Sequence, residues 1–242
     1  MTVLVTGGAG RVGNRVVRAL REAGEAVLVL DDLSAGEVAA MPCGVPLVVG
    51  DAGDRDLLAR LLRRHHLEAV LHLAGPADRR PLPARPLEHY RATVDVAHAL
   101  LAEALRAGIG HVVIASTTAA AMPGPSDDVH GRAMAMVEAM LAEAASTGRL
   151  TGMALRLPEA AADAGGLPDA SDVAAAFLAA LAHLRTGGAS ATIDCGDALP
   201  VTAAQIAAAC SGALELAGKG PAGGRPEAAV IRILRAPRRP AA

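Results

Sequence analysis

Two polar side chains, Thr118 and His130, stand where a buried strand ends and the next helix begins. The apolar run His111–Ala115 is followed directly by "STT" (116–118), and a helical pattern over 128–147 then places Met134 one turn after His130. A threonine hydroxyl can polarise a carbonyl, and an imidazole with an ordinary pKa near ~6.5 can take and give a proton close to neutral pH. The pair could therefore do acid–base chemistry. The alternative is that His130 is only a polar residue where a helix leaves a loop.

A second motif with chemical potential lies at the amino terminus. In "TVLVTGGAGRVGNRVVRAL", Gly7, Gly10 and Gly13 fall between a first strand and a first helix. Gly7 allows a sharp turn, Gly10 lets a pyrophosphate approach the backbone, and Gly13 lets the helix pack closely on the strand. Because free N–H groups and the helix dipole favour an anion there, the pattern predicts a dinucleotide-binding turn.

The second strand, "AVLVLDDL", ends in Asp31, 24 positions after Gly7. A carboxylate at that place accepts hydrogen bonds from the ribose hydroxyls and repels a 2′-phosphate, which favours NAD over NADP. Arg11 argues weakly in the other direction, since it could meet a phosphate. The alternative is a glycine-rich turn that binds no ligand.

The elements that must position these residues alternate along the chain. Apolar runs typical of strands cover Val3–Thr6, Ala26–Asp31, Pro46–Gly50, Ala69–His72, His111–Ala115, Thr151–Arg156 and Ala191–Cys195. Helical patterns between them cover Arg11–Ala23, Asp54–His65, Pro86–Ala107, Asp128–Thr147 and Asp172–Arg185. We therefore predict an α/β fold, a Rossmann-like doubly wound parallel sheet with a reduced C-terminal cap. Residues 1–156 would form the dinucleotide-binding domain, and 157–242 the last sheet elements plus a small substrate or cap region.

Composition excludes several classes of protein. The chain of 242 residues has a net charge of −2 and one Phe, one Tyr and no Trp. Its longest apolar runs are about half of the ~20 residues that a membrane span needs, and the charge balance argues against nucleic acid as a partner. Three cysteines without a CxxC spacing indicate a reducing cytoplasm and no zinc site, so we expect no metal.

Several segments together resemble the extended short-chain dehydrogenase/reductase family, and within it the NAD-dependent epimerase/dehydratases. The segments are "VLVTGGAGRVG", "LVLDDL", "VVGDAGD" (48–54), "AVLHLAG" (69–75), "RPLEHYRATV" and "HVVIASTTA". The resemblance implies a cofactor held along the glycine turn, with Asp51 at the adenine edge and the end of the fourth strand beside it. The implied NAD-binding residues are Gly7, Gly10, Arg11, Val12, Gly13, Asp31, Asp32, Asp51, Ala52, Leu73, Ala74 and Gly75.

The family's catalytic dyad is absent from this chain. The resemblance implies a Ser or Thr that orients the substrate, a Tyr that acts as acid and base, and a Lys four residues later that lowers the Tyr pKa. Here Thr118 takes the first place, His130 the second and Met134 the third. The single Tyr is Tyr90 and the single Lys is Lys219, so no Tyr-x-x-x-Lys occurs anywhere.

Three interpretations follow. His130 could itself be the acid and base beside a nicotinamide, with Thr118 polarising the substrate. The protein could instead bind the dinucleotide without catalysis, as a partner, regulator or sensor. The scaffold could also serve another small-molecule reaction, with NAD retained as a structural element or lost. We favour an enzyme with altered chemistry, because Thr118 and His130 are still polar.

Two further expectations concern partners. The segment after Arg156, "LPEAAADAGGLPDAS", replaces a longer Asn-containing family segment and the chain is short for the family. We therefore expect a small-molecule substrate that is unlikely to be a full nucleotide-sugar. The helices at 86–107 and 128–147 resemble the dimer helices of relatives, and the second is more apolar than one buried stripe requires, which favours a homodimer.

Overall fold

The structure, a computed structural model, describes residues 2–76, 85–121, 128–158, 169–195, 201–217 and 230–232. Much of the predicted cap, namely 159–168, 196–200, 218–229 and 233–242, lies outside the described residues. The described part forms one parallel sheet with helices on both faces.

The sheet contains eight strands within this described part. They are β1 (Thr2–Thr6), β2 (Ala26–Asp31), β3 (Leu47–Val49), β4 (Leu67–His72), β5 (His111–Thr117), β6 (Thr151–Leu157), β7 (Ala191–Asp194) and β8 (Val230–Arg232). Their order is β3-β2-β1-β4-β5-β6-β7-β8, and every neighbouring pair is parallel. After β3 the chain crosses to the other side of β1 and forms β4 there. The two halves of the sheet therefore meet between β1 and β4. A ligand cleft is expected at the carboxyl ends of these two strands.

Helices connect the strands in the same order. They are α1 (Arg11–Glu22), α2 (Arg55–Arg64), α3 (Pro86–Tyr90), α4 (Val96–Ala107), α5 (Val129–Ser146), α6 (Ala170–Arg185) and α7 (Ala203–Ala217). A π-helical segment, Arg91–Asp95, joins α3 to α4, and a 3₁₀ turn, Thr118–Ala121, follows β5.

Aspartate caps set three of the helix starts. Asp54 accepts a hydrogen bond from the Leu57 N–H at 3.0 Å, and Asp128 accepts one from the Gly131 N–H at 2.8 Å. Asp169 does the same for Ser171. Each carboxylate satisfies a backbone donor that has no partner within the helix. This explains why the helices predicted from Asp54 and Asp128 begin one residue later.

Two apolar layers cover the two faces of the sheet. Because successive strand residues point to opposite faces, Val3 and Val5 pack in the layer with α1 and α6, whereas Leu4 packs in the layer with α2, α4 and α5. Phe177 of α6 is fully buried in the first layer. Alanine, valine, leucine and isoleucine make up most of the rest of both layers.

The predicted fold class is confirmed, and all seven predicted strands are present with ends shifted by at most two residues. The helix predicted over Pro86–Ala107 is interrupted by the π-helical segment. α7 and β8 were not predicted. α7 is rich in alanine and has a weak amphipathic pattern, and β8 is a three-residue run next to arginines. The division into two domains at residue 156 stays a prediction.

Candidate cofactor and active site

A cleft of about 820 Å³ opens at the carboxyl ends of β1, β2 and β4, where the sheet changes direction. The structure brings together on its wall every residue predicted to bind the cofactor. These are Gly7, Gly10, Arg11, Val12, Gly13, Asp31, Asp32, Asp51, Ala52, Leu73, Ala74 and Gly75. The cleft therefore unites motifs that are far apart in the sequence.

The glycine turn is tight at two points and open at a third. Gly7 has φ +73°, and a Cβ there would lie 2.6 Å from the Ala74 nitrogen, so no other residue fits without a shift. A Cβ on Gly13 would lie 2.0 Å from the Gly7 oxygen, which explains the close packing of α1 on the turn. A Cβ on Gly10 would meet nothing closer than 3.4 Å, so this backbone is left open to the cleft.

Asp31 is buried and fixed by backbone donors on both carboxylate oxygens. Its Oδ2 accepts the Ala9 N–H at 2.8 Å, and its Oδ1 accepts the Leu33 N–H at 2.8 Å. Leu33 has φ +61°, a left-handed backbone that branched or bulky residues seldom adopt. The two hydrogen bonds hold the carboxylate at the cleft wall, and each oxygen keeps a lone pair for a ribose hydroxyl.

Part of the cleft wall comes from the helix predicted over Pro86–Ala107, whose residues were not among those predicted to bind the cofactor. Glu88 of α3, Arg91 and Ala92 of the π-helical segment and Val96 of α4 all line it. The last three follow Glu88 by three, four and eight residues, a spacing typical of one helix face. This spacing is the sequence signal from which they could have been predicted. Arg91 and Arg11 are exposed cations on the cleft wall.

Below the cleft, a buried histidine joins the ends of two strands. Thr6 of β1 and His72 of β4 are register partners, and the Thr6 Oγ1 lies 2.7 Å from the His72 Nδ1. Burial lowers the pKa of His72 from 6.5 to about 4, because the charged imidazolium would lose its hydration. His72 is therefore neutral at physiological pH.

Thr118 and His130 lie on segments that pack against each other, but neither is on the wall of the cleft as far as the structure describes it. Thr118 begins the 3₁₀ turn and is half-buried, and His130 is the second residue of α5 and 8% exposed. A Cβ on Gly131 would lie 2.8 Å from the Ala119 oxygen, which shows how closely the start of α5 approaches the turn. Their roles in catalysis stay predictions.

His89, a neighbour of His130 in the structure, was not singled out from the sequence. The Nε2 of His89, on α3, lies 3.2 Å from the Nδ1 of His130. Met134, one turn after His130, is 7% exposed and packs in the apolar layer with α4. The position at which the family resemblance implies a lysine is thus filled by a packed thioether, and its side chain brings no positive charge to His130.

The fold and the cleft together define a Rossmann-type α/β protein with a dinucleotide-sized site at the switch between the two halves of the sheet. The model of the NAD dependent epimerase/dehydratase family matches residues 3–164. The chain belongs to this family, as the sequence motifs predicted. Since the family is NAD dependent, the predicted cofactor is confirmed at the level of the family.

Known proteins of this family give the same picture. A UDP-glucose 4-epimerase of Azospirillum brasilense is 34% identical over 252 aligned residues, which cover 80% of this chain and 72% of that protein. A Thermotoga maritima UDP-glucose 4-epimerase solved with UDP-glucose is 28% identical, with a TM-score of 0.59 over 65% of this chain and 55% of that one. A Brucella ovis UDP-glucose 4-epimerase in complex with NAD is 23% identical, with a TM-score of 0.69 over 79% and 76%, and shows the likeness in fold.

The chain is shorter than most of the proteins it matches. It covers between 35% and 64% of the other curated UDP-glucose 4-epimerases similar to it. The activity of the whole protein is therefore a matter of proposal.

The expectation that the substrate is unlikely to be a full nucleotide-sugar is wrong. The Azospirillum relative is named for a nucleotide-sugar substrate, and the Thermotoga structure holds one. The expectation relied on the length of the segment after Arg156. Length does not measure the space above the sheet, because the loops and side chains that close this space decide what fits.

None of the helices that the structure describes combines the length and the apolar character of a transmembrane span. Across the described residues, no group of three or more His, Cys, Asp or Glu is arranged to hold a metal ion.

Proposed function

We propose that the protein binds NAD in this cleft and acts on a nucleotide sugar as an enzyme of the epimerase or dehydratase type. The observation that supports this most is the single cleft that unites the open glycine turn with the anchored Asp31 carboxylate. Membership of the family adds the reaction type. UDP-glucose is the first substrate to test, because several relatives are named for it.

The residues of the cleft fit NAD by the chemistry they offer. The open backbone at Gly10 and the first N–H groups of α1 would hold the pyrophosphate, since a helix N-terminus attracts an anion. Asp31 would accept the ribose hydroxyls and would repel a 2′-phosphate, so NAD is preferred to NADP. NAD, when bound, supplies the acceptor and donor of a hydride.

His130 would move the proton that accompanies hydride transfer. A sugar hydroxyl that loses a hydride from its carbon must also lose its proton, and a neutral imidazole nitrogen can take that proton and return it. Thr118, on the turn packed against the start of α5, would donate its hydroxyl hydrogen to the same sugar oxygen. An imidazole needs no lysine to work near neutral pH, which fits the presence of Met134 in the apolar layer.

A second candidate function has one observation in its favour. Met134 packs in the core at the place where the family resemblance implies a lysine that holds the nicotinamide ribose. A protein that keeps NAD but performs no turnover, as a partner, regulator or sensor, would tolerate this loss.

The first experiment measures the binding of NADH through the fluorescence of the cofactor. The chain contains no tryptophan, so this measurement has no tryptophan background. Interconversion of UDP-glucose and UDP-galactose is then measured on the wild type, H130A and the control H98A, which alters an exposed histidine. We expect H130A to lower kcat about 100-fold or more, with the Kd for NADH unchanged. Binding without turnover in the wild type would favour the second candidate, and no NADH binding would refute both.

The cytoplasm is the proposed location. All three cysteines, Cys43, Cys195 and Cys210, are free. This suits a reducing compartment, in which thiols are kept unpaired.

A further inference from the structure

His89 and His130 form a buried pair of imidazoles between two helices. The His89 Nε2 and the His130 Nδ1 are 3.2 Å apart, and the rings meet edge to face with their centroids 5.2 Å apart at 72°. The two residues are 3% and 8% exposed. The contact joins α3 to the start of α5, and its two residues are 41 positions apart in the sequence.

The segment formed by α3 and the π-helical turn has one face toward the cofactor cleft and one buried face. Glu88 and Arg91 lie on the wall of the cofactor cleft, whereas His89 and Thr93 are buried. The Thr93 Oγ1 lies 3.4 Å from the His89 Nε2, one turn along. The π-helical segment begins directly after α3, and π-helical insertions occur often at functional sites. This segment thus contacts both the cofactor cleft and His130.

The contact restricts where the proton on His130 can sit. Two ring nitrogens at hydrogen-bond distance need one N–H and one lone pair between them, since two hydrogens or two lone pairs would repel. If His130 carries its proton on Nδ1 and donates it to His89, its Nε2 presents a lone pair and can act as a base. If His89 Nε2 is the donor, His130 Nε2 carries the hydrogen and can act as an acid.

We propose that His89 is a positioning residue, which occupies the Nδ1 of His130, holds its ring in place and fixes its tautomer, so that Nε2 is the nitrogen that exchanges protons with substrate. This inference rests on the proposed role of His130. His89 would prepare the imidazole of His130 for proton transfer, as the family's lysine prepares the tyrosine. A tyrosine needs a cation to lower its pKa, whereas a histidine needs a partner that fixes its tautomer.

Three variants at position 89 test the proposal by kinetics. H89L removes the hydrogen-bond partner, and H89Q keeps an amide near the place of Nε2. H183Q, at a buried histidine of α6, is the control. We expect H89L to lower kcat about tenfold or more with the KM and the Kd for NADH little changed, and H89Q to restore most of the loss. A parallel loss of NADH binding and kcat in both H89L and H89Q would indicate a merely structural role and overturn the proposal.

A second readout needs no turnover, so it decides even if the proposed function fails. The ¹⁵N and ¹H chemical shifts of the His130 ring report which nitrogen carries the proton. We expect one tautomer to predominate in the wild type and in H89Q, and a mixture of both tautomers in H89L. H89N, whose amide is too short to reach, replaces H89L if that variant does not fold. The same His130 pattern in the wild type and in the loss variant would overturn the proposal.

Discussion

The guanidinium of Arg156 donates to both carboxylate oxygens of Glu138, with Nε to Oε1 at 2.9 Å and Nη2 to Oε2 at 2.6 Å. Ser116 donates its hydroxyl hydrogen to the same Oε1 at 2.5 Å. All three side chains are buried, and the hydrogen bonds to Glu138 raise the pKa of Arg156. The cluster fastens α5 to the ends of β5 and β6, and α5 is the helix that begins with His130.

Loss of the Glu138 charge should destabilise the whole fold. E138Q removes the carboxylate to which the buried Arg156 guanidinium donates and leaves Asp194 as a nearby negative charge, and the breaking of such a pair costs about 3–5 kcal/mol. We expect this loss in the free energy of unfolding, measured by urea denaturation. E143Q, at an exposed position on the same helix, should change it by less than about 0.5 kcal/mol. A change below about 1 kcal/mol in E138Q would contradict the importance of the pair.

The same cluster shows where prediction from sequence stops. The fold class and the cofactor cleft follow from local patterns, because the glycine turn, the apolar strands and Asp31 each carry their signal within a few residues. The sequence places Ser116 in the same polar run as Thr118, yet the hydroxyl of Ser116 is engaged by Glu138. The partnership of His89 with His130 depends on how α3 meets α5. No spacing in one chain encodes that contact.

The preference for NAD should depend on the Asp31 charge. D31N removes the repulsion of a 2′-phosphate and places amide hydrogens against backbone N–H donors from Ala9 or Leu33. We expect NADH to bind about tenfold more weakly and the ratio of the NADPH and NADH dissociation constants to fall by at least about tenfold. D56N, an exposed charge on α2 outside the cleft wall, is the control. An unchanged ratio in D31N would show that another group selects the cofactor.

We propose that the protein forms a homodimer through α3 and α5. Leu87 of α3 is 76% exposed and Met136 of α5 is 50% exposed, and these two helices contact each other. The double variant L87E/M136E places charges on this face, and we expect its mass by light scattering to fall to that of one chain. V38E, a charge at an exposed apolar residue elsewhere, should leave the mass unchanged. A wild type that is monomeric at micromolar concentration would refute the dimer.

Only one thiol in the native protein should react quickly. Cys43 is exposed, whereas Cys195 and Cys210 are buried. Burial raises the pKa of Cys195 to about 12 and also raises the pKa of Cys210, so neither forms the nucleophilic thiolate near neutral pH. Ellman's reagent should titrate one thiol in the folded protein and three in denaturant. The variant C43S should show no fast reaction, and a fast phase in it would mean that a buried cysteine is accessible.

Acid should destabilise the protein through His72. The folded state holds this side chain neutral down to about pH 4, whereas in the unfolded chain its pKa returns to 6.5. Because the unfolded state binds the proton first, the stability present above pH 6.5 is lost as the pH falls toward 4, by up to about 3 kcal/mol.

H72N isolates this contribution, since the Asn amide can still form a hydrogen bond with the Thr6 hydroxyl, as the His72 Nδ1 does, but does not titrate. Carboxylates also titrate in this range, so the informative quantity is the difference in unfolding free energy between the wild type and H72N. As the pH falls from 6.5 to 4, we expect the wild type to lose unfolding free energy relative to H72N. The control H98N, at an exposed histidine, should follow the wild-type profile. A difference that stays constant with pH would show that His72 takes up its proton in the folded state as readily as in water.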